Sequence, residues 1–136
     1  MPGRTHRFDY ETLAEFRYQI RGFLHFSEDA AREQGLNSQQ HQLLLALKGL
    51  PPALKPSVGV LAARLHLRHH STVELVDRLA ERGYIARAAD PGDRRTVLVR
   101  ITARGEAVLR TLTRIHRKEL HTAGPLLLAA LRKLVP

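Results

Sequence analysis

The chain has 136 residues, which suffices for one compact domain with its own core but not for two ordinary domains. Its 22 Lys and Arg residues outnumber 13 Asp and Glu residues, and the formal net charge of +9 favours a polyanionic partner, although charge alone also fits a soluble protein from an arginine-rich lineage. No cysteine is present, which excludes a disulfide, a thiolate zinc site and a sensor that works through a thiol.

The sequence shows no sign of a membrane or export segment. The longest apolar run, Leu126 to Leu131, is far shorter than the roughly 20 residues that a membrane span needs. The first residues, Met1 to Arg7, lead into no apolar stretch. We therefore expect a cytoplasmic protein that has no membrane partner.

Two helices are predicted before residue 50. From Asp9 to about Arg32, apolar residues recur every three or four positions, which is the pattern of one face of a long amphipathic helix. These residues are Leu13, Phe16, Ile20, Phe23 and Leu24. Gly35 interrupts the pattern, Ser38 is predicted to cap a second helix, and that helix ends before Gly49.

A helix-turn-helix is predicted next. Ser57 caps a third helix that runs to about Leu65, the chain turns near His66, and a fourth helix follows from about His69 to Arg82. The fourth helix has one stripe that must face the core, formed by Thr72, Leu75, Val76 and Leu79. The opposite face lies nearer to solvent and is the face that we expect to meet DNA. It carries His69, His70, Glu74 and Arg78.

A β-hairpin is predicted after the fourth helix. Pro91 and Gly92 favour a reversal between two short apolar runs. The second run shows the alternation of a half-buried strand, with inward positions at Val97, Val99 and Ile101. The hairpin presents two adjacent arginines, Arg94 and Arg95, and the order helix, turn, helix and hairpin is that of a winged-helix DNA-binding domain.

The C-terminal part is predicted to be helical in two pieces. Thr102 is a good N-cap for a fifth helix, whose apolar stripe is formed by Val108, Leu109, Leu112 and Ile115. Gly124 and Pro125 are expected to break or sharply kink this helix, and Pro125 suits the first turn of a sixth helix from Leu126 to Leu134. The terminal helices hold more apolar surface than one copy needs to cover, which predicts a homodimer.

The residues from Asp90 to Gly105, with the preceding segment Val76 to Ile85, closely resemble the multiple antibiotic resistance regulator (MarR) family. The resemblance covers nearly the whole chain, and the wing motif is its most specific part. It implies a mostly α-helical chain with a small β-wing. We expect one domain over residues 1–136, with a winged helix-turn-helix at 38–102 and dimerisation helices at 9–34 and 103–135.

The resemblance also implies a function. Family members are homodimeric bacterial transcription factors, usually repressors, that bind a palindromic operator in double-stranded DNA and are often released by a small ligand. Part of the family activates transcription instead. In the family's pattern, the fourth helix enters the major groove of DNA, and the wing arginine that corresponds to Arg94 reaches into the minor groove.

The wing run Asp93, Arg94 and Arg95 is therefore a predicted DNA contact. An arginine in a narrow minor groove is favoured by the negative potential there and reads groove shape more than base identity. We expect Asp93 to hold Arg94 or Arg95 by a charge-assisted hydrogen bond and so to stiffen the wing. A solvated charged turn is the alternative explanation for this run.

The helix-turn-helix offers further candidate contacts. His69, His70 and Ser71 lie at the start of the fourth helix, where side chains reach base edges and free backbone N–H groups meet a phosphate. Glu74 either accepts from a cytosine amino group or pairs with Arg78 four residues on. The predicted contacts to the DNA backbone, which set register without reading sequence, come from Ser57, Arg64, Arg68 and Arg78.

Other classes of function fit less well. Eight histidines invite a metal site, but no acidic residue completes an obvious tetrahedral set around His66 and His70, so we predict neither a metal nor a cofactor. No Gly-rich phosphate loop, Gly-x-Ser-x-Gly elbow or His-Glu-x-x-His motif is present, so we predict no enzyme activity. A winged helix that binds RNA or another protein and a metal-responsive regulator that uses histidines stay open as alternatives.

A small-molecule effector site is expected between the DNA-binding lobe and the terminal helices. The expectation rests on the surplus apolar surface and on the family resemblance. The residues predicted to line this site are Phe16, Ile20, Leu43 and Leu112. The same four residues fit an ordinary dimer core equally well.

Overall fold

The computed structural model describes residues 3–135, which form five helices and a two-stranded antiparallel sheet. In chain order these are α1 (Arg7–Glu33), α2 (Ser38–Lys48), α3 (Val58–Leu65), α4 (His69–Glu81), β1 (Ile85–Asp90), β2 (Asp93–Ile101) and α5 (Ala103–Leu134). The predicted mostly helical chain with one β-hairpin is confirmed. No helix in this described part is long and apolar enough to cross a membrane.

The chain divides into two compact units. The unit from Ala31 to Leu112, here called the winged unit, contains α2, α3, α4 and the hairpin. The residues up to Ala30 and those from Thr113 on form the second unit, here called the terminal unit. The core of the winged unit contains several side chains that are fully or almost fully buried: Leu43, Leu44, Leu61, Val76, Leu79 and Val99.

The second helix begins one residue earlier than the sequence predicted, so Ser38 is not its cap. Asn37 has an extended backbone, and its side-chain oxygen accepts a hydrogen bond from the Gln40 N–H at 2.8 Å. The Gln40 side chain accepts one from the Asn37 N–H at 2.9 Å. This reciprocal capping box satisfies two backbone donors, whereas Ser38 is already the first residue of α2.

The predicted cap of the third helix is confirmed. The Ser57 hydroxyl accepts a hydrogen bond from the Val60 N–H at 3.1 Å. At the other end, His66 takes a left-handed conformation with φ 54°, and the Leu67 N–H donates to the Ala62 carbonyl at 3.0 Å. This left-handed residue ends α3 and turns the chain into α4 within three residues.

The hairpin has the predicted turn at Pro91 and Gly92. Its strands pair from Ile85 opposite Ile101 to Asp90 opposite Asp93. A third segment joins the sheet, because Ser57 forms a β-bridge with Leu98. The expected inward face of β2 is only partly correct: Val99 is buried, whereas Val97 is exposed because it lies toward the tip, beyond the core.

The last helix is continuous, so the predicted break at Gly124 and the separate sixth helix are wrong. α5 runs from Ala103 to Leu134 and contains Pro125 in its interior. A proline there removes one backbone hydrogen bond and crowds the carbonyl four residues before it. The surrounding turns are rich in leucine and alanine, which favour helix and carry the helix across this defect.

The terminal unit has a small aromatic cluster where α1 meets α5. The His116 ring contacts the rings of Phe23 and Phe26 edge-on, with centroids 5.9 and 5.8 Å away. Its Nε2 lies 2.8 Å from the hydroxyl of the buried Ser27. These contacts bind the N-terminal and C-terminal helices together within this unit.

Candidate nucleic-acid interface

The two faces of α4 are divided as the sequence predicted. Thr72, Leu75, Val76 and Leu79 are buried. The candidate contact residues lie on the other side, where His69, His70, Glu74 and Arg78 are exposed and Ser71 is half-buried. A helix that is held by one face and free on the other can enter a groove of DNA without loss of core contacts.

The start of α4 presents backbone donors to solvent. Arg68 occupies the N-cap position but makes no side-chain cap. Instead, the Thr72 hydroxyl donates to the Arg68 carbonyl at 3.0 Å, which fixes the first turn from the buried side. Within residues 3–135, no side chain accepts a hydrogen bond from the N–H groups of residues 69–71. These groups lie at the positive end of the helix dipole, an arrangement that suits a phosphate oxygen.

Helix α4 is tied to the wing by an ion pair that the sequence did not reveal. Arg87 Nη1 on β1 contacts Asp77 Oδ1 on α4, and both side chains are about half exposed. The alternative that the sequence offered for Glu74, an ion pair with Arg78, is absent from the structure of residues 3–135. Glu74 and Arg78 thus both stay available on the exposed face.

The tip of the wing is held by Asp90, which is buried although it ends β1 directly before the hairpin turn. Its carboxylate binds Lys55 Nζ at 2.9 Å and accepts a hydrogen bond from the Gly92 N–H at 2.9 Å. The hydrogen bond from Lys55, and then that from Gly92, hold the pKa of Asp90 below its ordinary value. The carboxylate therefore stays ionised and clamps the turn to the segment before α3.

Asp93 stiffens the wing, but not through an arginine side chain as predicted. Its two carboxylate oxygens accept hydrogen bonds from the Arg95 backbone N–H and from the Thr96 hydroxyl, both at 3.0 Å. A carboxylate two or three residues before these donors reaches them with little strain, as in an Asx-turn. The guanidinium groups of Arg94 and Arg95 are consequently left for other partners.

The two wing arginines differ in place. Arg95 lines a groove of about 360 Å³ between α4 and the wing, and Arg94 does not. The groove is also lined by His69, by Arg87 and by Asp77, whose carboxylate pairs with Arg87. Arg94 lies exposed beside the hairpin turn. One arginine thus lines the groove beside α4, and the other lies at the outer end of the wing.

The remaining predicted DNA contacts lie on or next to α3. Arg64 is exposed near the end of that helix, and Arg68 is exposed in the turn that follows. Ser57 is half-buried, and its hydroxyl is occupied as the cap of α3. Ser57 also lines the groove beside Arg95, so a contact from it to DNA would come from the edge of that groove.

The four predicted effector residues are spread over both units. Leu43 and Leu112 are completely buried. Phe16 and Ile20 are half-buried on α1 in the terminal unit. The complete burial of the two leucines fits the alternative interpretation, in which they are ordinary core residues and do not line an effector site.

Metal-ligating side chains do not converge in the described residues, where no group of three or more His, Asp or Glu could hold an ion. His66 takes part in the turn after α3, and His69 lines the groove by the wing.

Sequence reasoning missed the residues that hold the wing to α4 and to the segment before α3: Lys55, Asp77, Arg87 and Asp90. Lys55 and Asp90 are 35 residues apart, and no local pattern joins them. Asp77 directly follows the buried residue Val76 and so lies at the edge of the core-facing stripe of α4. A carboxylate at this edge could have indicated a contact with the strand that follows the helix.

Comparisons with known proteins agree with this geometry. Residues 34–96 match the model of the MarR family. The transcriptional activatory protein BadR of Rhodopseudomonas palustris (strain ATCC BAA-98 / CGA009) is 35% identical over 96 residues, covering 70% of this chain and 55% of BadR. The chain thus spans about half the length of this curated relative.

Solved structures show the same architecture. The PcaV transcriptional regulator from Streptomyces coelicolor, in complex with its natural ligand, is 32% identical with a TM-score of 0.55, covering 65% of this chain and 62% of PcaV. A mutant MarR from E. coli, complexed with operator DNA, has a TM-score of 0.69 at 18% identity and covers 97% of this chain and 100% of its own. The second likeness shows a common fold over nearly the full chain.

Proposed function

Because the chain belongs to the MarR family of transcriptional regulators, we propose that it binds a two-fold symmetric operator in duplex DNA as a homodimer. The observation that carries the proposal is that α4 and the wing are joined by an ion pair. α4 presents an exposed polar face, the wing presents Arg94 and Arg95, and the Asp77 to Arg87 ion pair holds the two together. Half-sites would lie about one helical turn, roughly 34 Å, apart.

Each candidate side chain has a role that follows from its place. His69, His70, Ser71 and Glu74 on the exposed face of α4 would read base edges in the major groove. Arg94 at the outer end of the wing would enter the minor groove. Contacts to the DNA backbone would come from Ser57, Arg64, Arg68, Arg78 and Arg95.

The terminal unit supports assembly as a dimer. Large apolar side chains are exposed along both of its helices, at Phe8, Tyr10, Leu13, Tyr18, Leu24, Leu120, Leu126, Leu128 and Leu131. A monomer rarely leaves so many such residues in water, since their burial between two copies is favourable. Two-fold symmetry of the protein would then match two-fold symmetry of the operator.

The sign of regulation follows from where the operator lies relative to the promoter. We propose repression as the main activity, which needs only that bound protein block the promoter. Activation is the second candidate, favoured by the name of BadR as an activatory protein. Either role places the protein with the chromosome in the cytoplasm and requires no catalytic step.

The test is fluorescence anisotropy with the duplex from upstream of the protein's own gene, against a scrambled duplex, at two salt concentrations. A specific regulator prefers the native duplex, and this preference survives added salt because base contacts do not depend on counterion release. Equal binding to both duplexes that disappears with salt would contradict the proposal for this site. Preference for RNA over both duplexes would instead establish the RNA-binding alternative.

A reporter assay distinguishes the two signs of regulation. The promoter region that carries the identified operator is fused to a reporter gene, and expression is compared with and without the protein. Lower expression in its presence establishes repression. Higher expression establishes activation and contradicts the main proposal, while operator binding itself stays established.

A further inference from the structure

We propose that Val73 on α4 contacts the C5-methyl group of a thymine in the major groove and so helps to determine which operator sequence is bound. The inference rests on the function proposed above and assigns a base preference to the face of α4 that meets DNA there. Val73 is 37% exposed, although it is a large apolar residue. Every residue of α4 is described, and among its exposed residues Val73 alone is apolar. The others are His69, His70, Glu74, Arg78 and Glu81.

Val73 lies in the part of α4 that reaches base edges. It follows His69 by four residues and His70 by three, so these three side chains share one face of the helix. The N-terminal residues of a recognition helix are the ones that contact bases in the major groove. Val73 is therefore placed to contact a base pair beside those that the two histidines would contact.

The apolar neighbours of Val73 do not cover it. Val73 lines the groove between α4 and the wing, and Val97 lines the same groove from the wing side. Val97 is 42% exposed, so both valines leave more than a third of their surface to solvent. Val76, which also lines this groove, is only 2% exposed and belongs to the core. The winged unit thus leaves Val73 to a partner outside itself.

The surroundings of Val73 favour DNA over a protein as this partner. Exposed cationic side chains lie on α4 and on the elements next to it, at Arg64, Arg68, Arg78, Arg94 and Arg95. A single apolar residue among such charges lacks the contiguous apolar patch that the centre of a protein interface needs. The phosphates of a duplex match the charges, and a base edge needs only one small apolar contact.

Thymine is the base whose major-groove edge fits a valine. The other three bases present acceptors or an amino donor there, and a valine against these groups would displace water without replacing its hydrogen bonds. Thymine adds a methyl group beside its O4 acceptor. Because a valine in a helix has one strongly preferred χ1 rotamer, Val73 loses little conformational freedom on contact. We therefore expect a thymine in the base pair that faces Val73 in each half-site.

The experiment replaces thymine by deoxyuridine in the operator, at one position of both half-sites at a time. This exchange removes only the methyl group and keeps the base pair, and the protein is unchanged. Anisotropy with the wild-type chain should show about tenfold weaker binding at one symmetric pair of positions, because each half-site loses the burial of one methyl group. Equal affinity for every substituted duplex would overturn the proposal.

The variant Val73→Ala tests whether the methyl group acts through Val73. Alanine favours helix at this exposed position, so the fold should be kept, which thermal melting checks. We expect about tenfold weaker binding to the thymine operator and no further loss with deoxyuridine. If Val73→Ala still loses affinity with deoxyuridine, the methyl group acts through the shape of the DNA and the proposal is wrong.

The matched control is Val97→Ala, which shortens the other exposed valine of the same groove. This variant should retain the tenfold dependence on the thymine methyl group. Loss of the dependence in Val97→Ala as well would assign it to the groove as a whole and overturn the role of Val73.

The same measurements separate this inference from the proposed function. Preference for the native duplex over the scrambled one, without dependence on any thymine methyl group, contradicts this inference alone. No preference for the native duplex contradicts the proposed function, and this inference with it.

Discussion

At the scale of single residues, the two adjacent wing arginines are not equivalent. Arg95 lines the groove beside α4, and its backbone N–H is held by Asp93. Arg94 lies exposed beside the turn, with no ion pair to any residue from 3 to 135. A guanidinium without an internal partner loses no protein contact when it enters the minor groove, so Arg94 is the better placed of the two for that role.

We predict that Arg94→Ala weakens operator binding about tenfold, which corresponds to about 1.4 kcal/mol. The fold should be unchanged, because the exposed Arg94 side chain makes no ion pair with any residue from 3 to 135. The measurement is operator anisotropy together with thermal melting. Arg100→Ala removes the same charge from the same strand and is the control; equal losses in both variants would mean that only net charge matters.

A second residue-scale prediction concerns Asp90. Since contacts with Lys55 and Gly92 lower its pKa, the stabilisation of the wing tip is fully present above the usual carboxyl pKa and disappears as the pH falls through the lower folded value. An NMR titration should therefore show a constant Gly92 amide shift from neutral pH until strongly acidic pH. Movement of this signal near neutral pH would contradict the clamp.

At the scale of elements, the structure joins α4 and the wing through the half-exposed ion pair of Asp77 and Arg87. Such pairs contribute only about 0.2–1 kcal/mol to folding. The pair therefore matters less for stability than for the relative position of α4 and the wing, which the proposed function places in adjacent grooves of DNA.

We predict that Asp77→Ala and Arg87→Ala both weaken operator binding, and that the double variant is no weaker than either single variant. The reason is that either change releases the wing from α4. If only net charge determined operator affinity, the two variants would have opposite effects, because Asp77→Ala removes a negative group and Arg87→Ala removes a positive one. Anisotropy on all four proteins measures this, and opposite signs would exclude a positioning role.

Much of the element order could be predicted from the sequence, because it depends on local patterns. Helical periodicity located α1 and the two faces of α4, and Pro91 with Gly92 located the hairpin turn. What could not be predicted depends on residues far apart, such as the Lys55 clamp on Asp90, or on competition between neighbours, such as Asn37 taking the cap from Ser38.

Pro125 illustrates the limit of local rules and gives a fourth prediction. A proline within a helix costs up to about 3 kcal/mol relative to alanine. Since α5 is continuous through this exposed position, Pro125→Ala should stabilise the protein by about 1–3 kcal/mol. Chemical denaturation measures the change. A destabilised variant would mean that the proline starts a separate helix in solution, as the sequence pattern predicted.

At the scale of the whole molecule, charge and apolar surface serve different parts of the proposed function. The net charge of +9 attracts the DNA polyanion over long range and makes nonspecific binding sensitive to salt. Exposed apolar side chains are concentrated along the helices of the terminal unit. An operator with two half-sites is read only if that surface pairs two copies.

We therefore predict that Leu126→Glu, at a position that is 58% exposed, disrupts the dimer. A buried carboxylate in an apolar interface is costly, whereas the same change on a free surface is nearly neutral. Light scattering after size exclusion should give a dimer for the wild type and a monomer for the variant. Leu54→Glu, at a comparably apolar exposed position in the winged unit, is the control and should remain dimeric.

Because a monomer engages only one half-site, the Leu126 variant should also lose its preference for a full operator over an isolated half-site. A dimeric variant that keeps this preference would place the interface elsewhere.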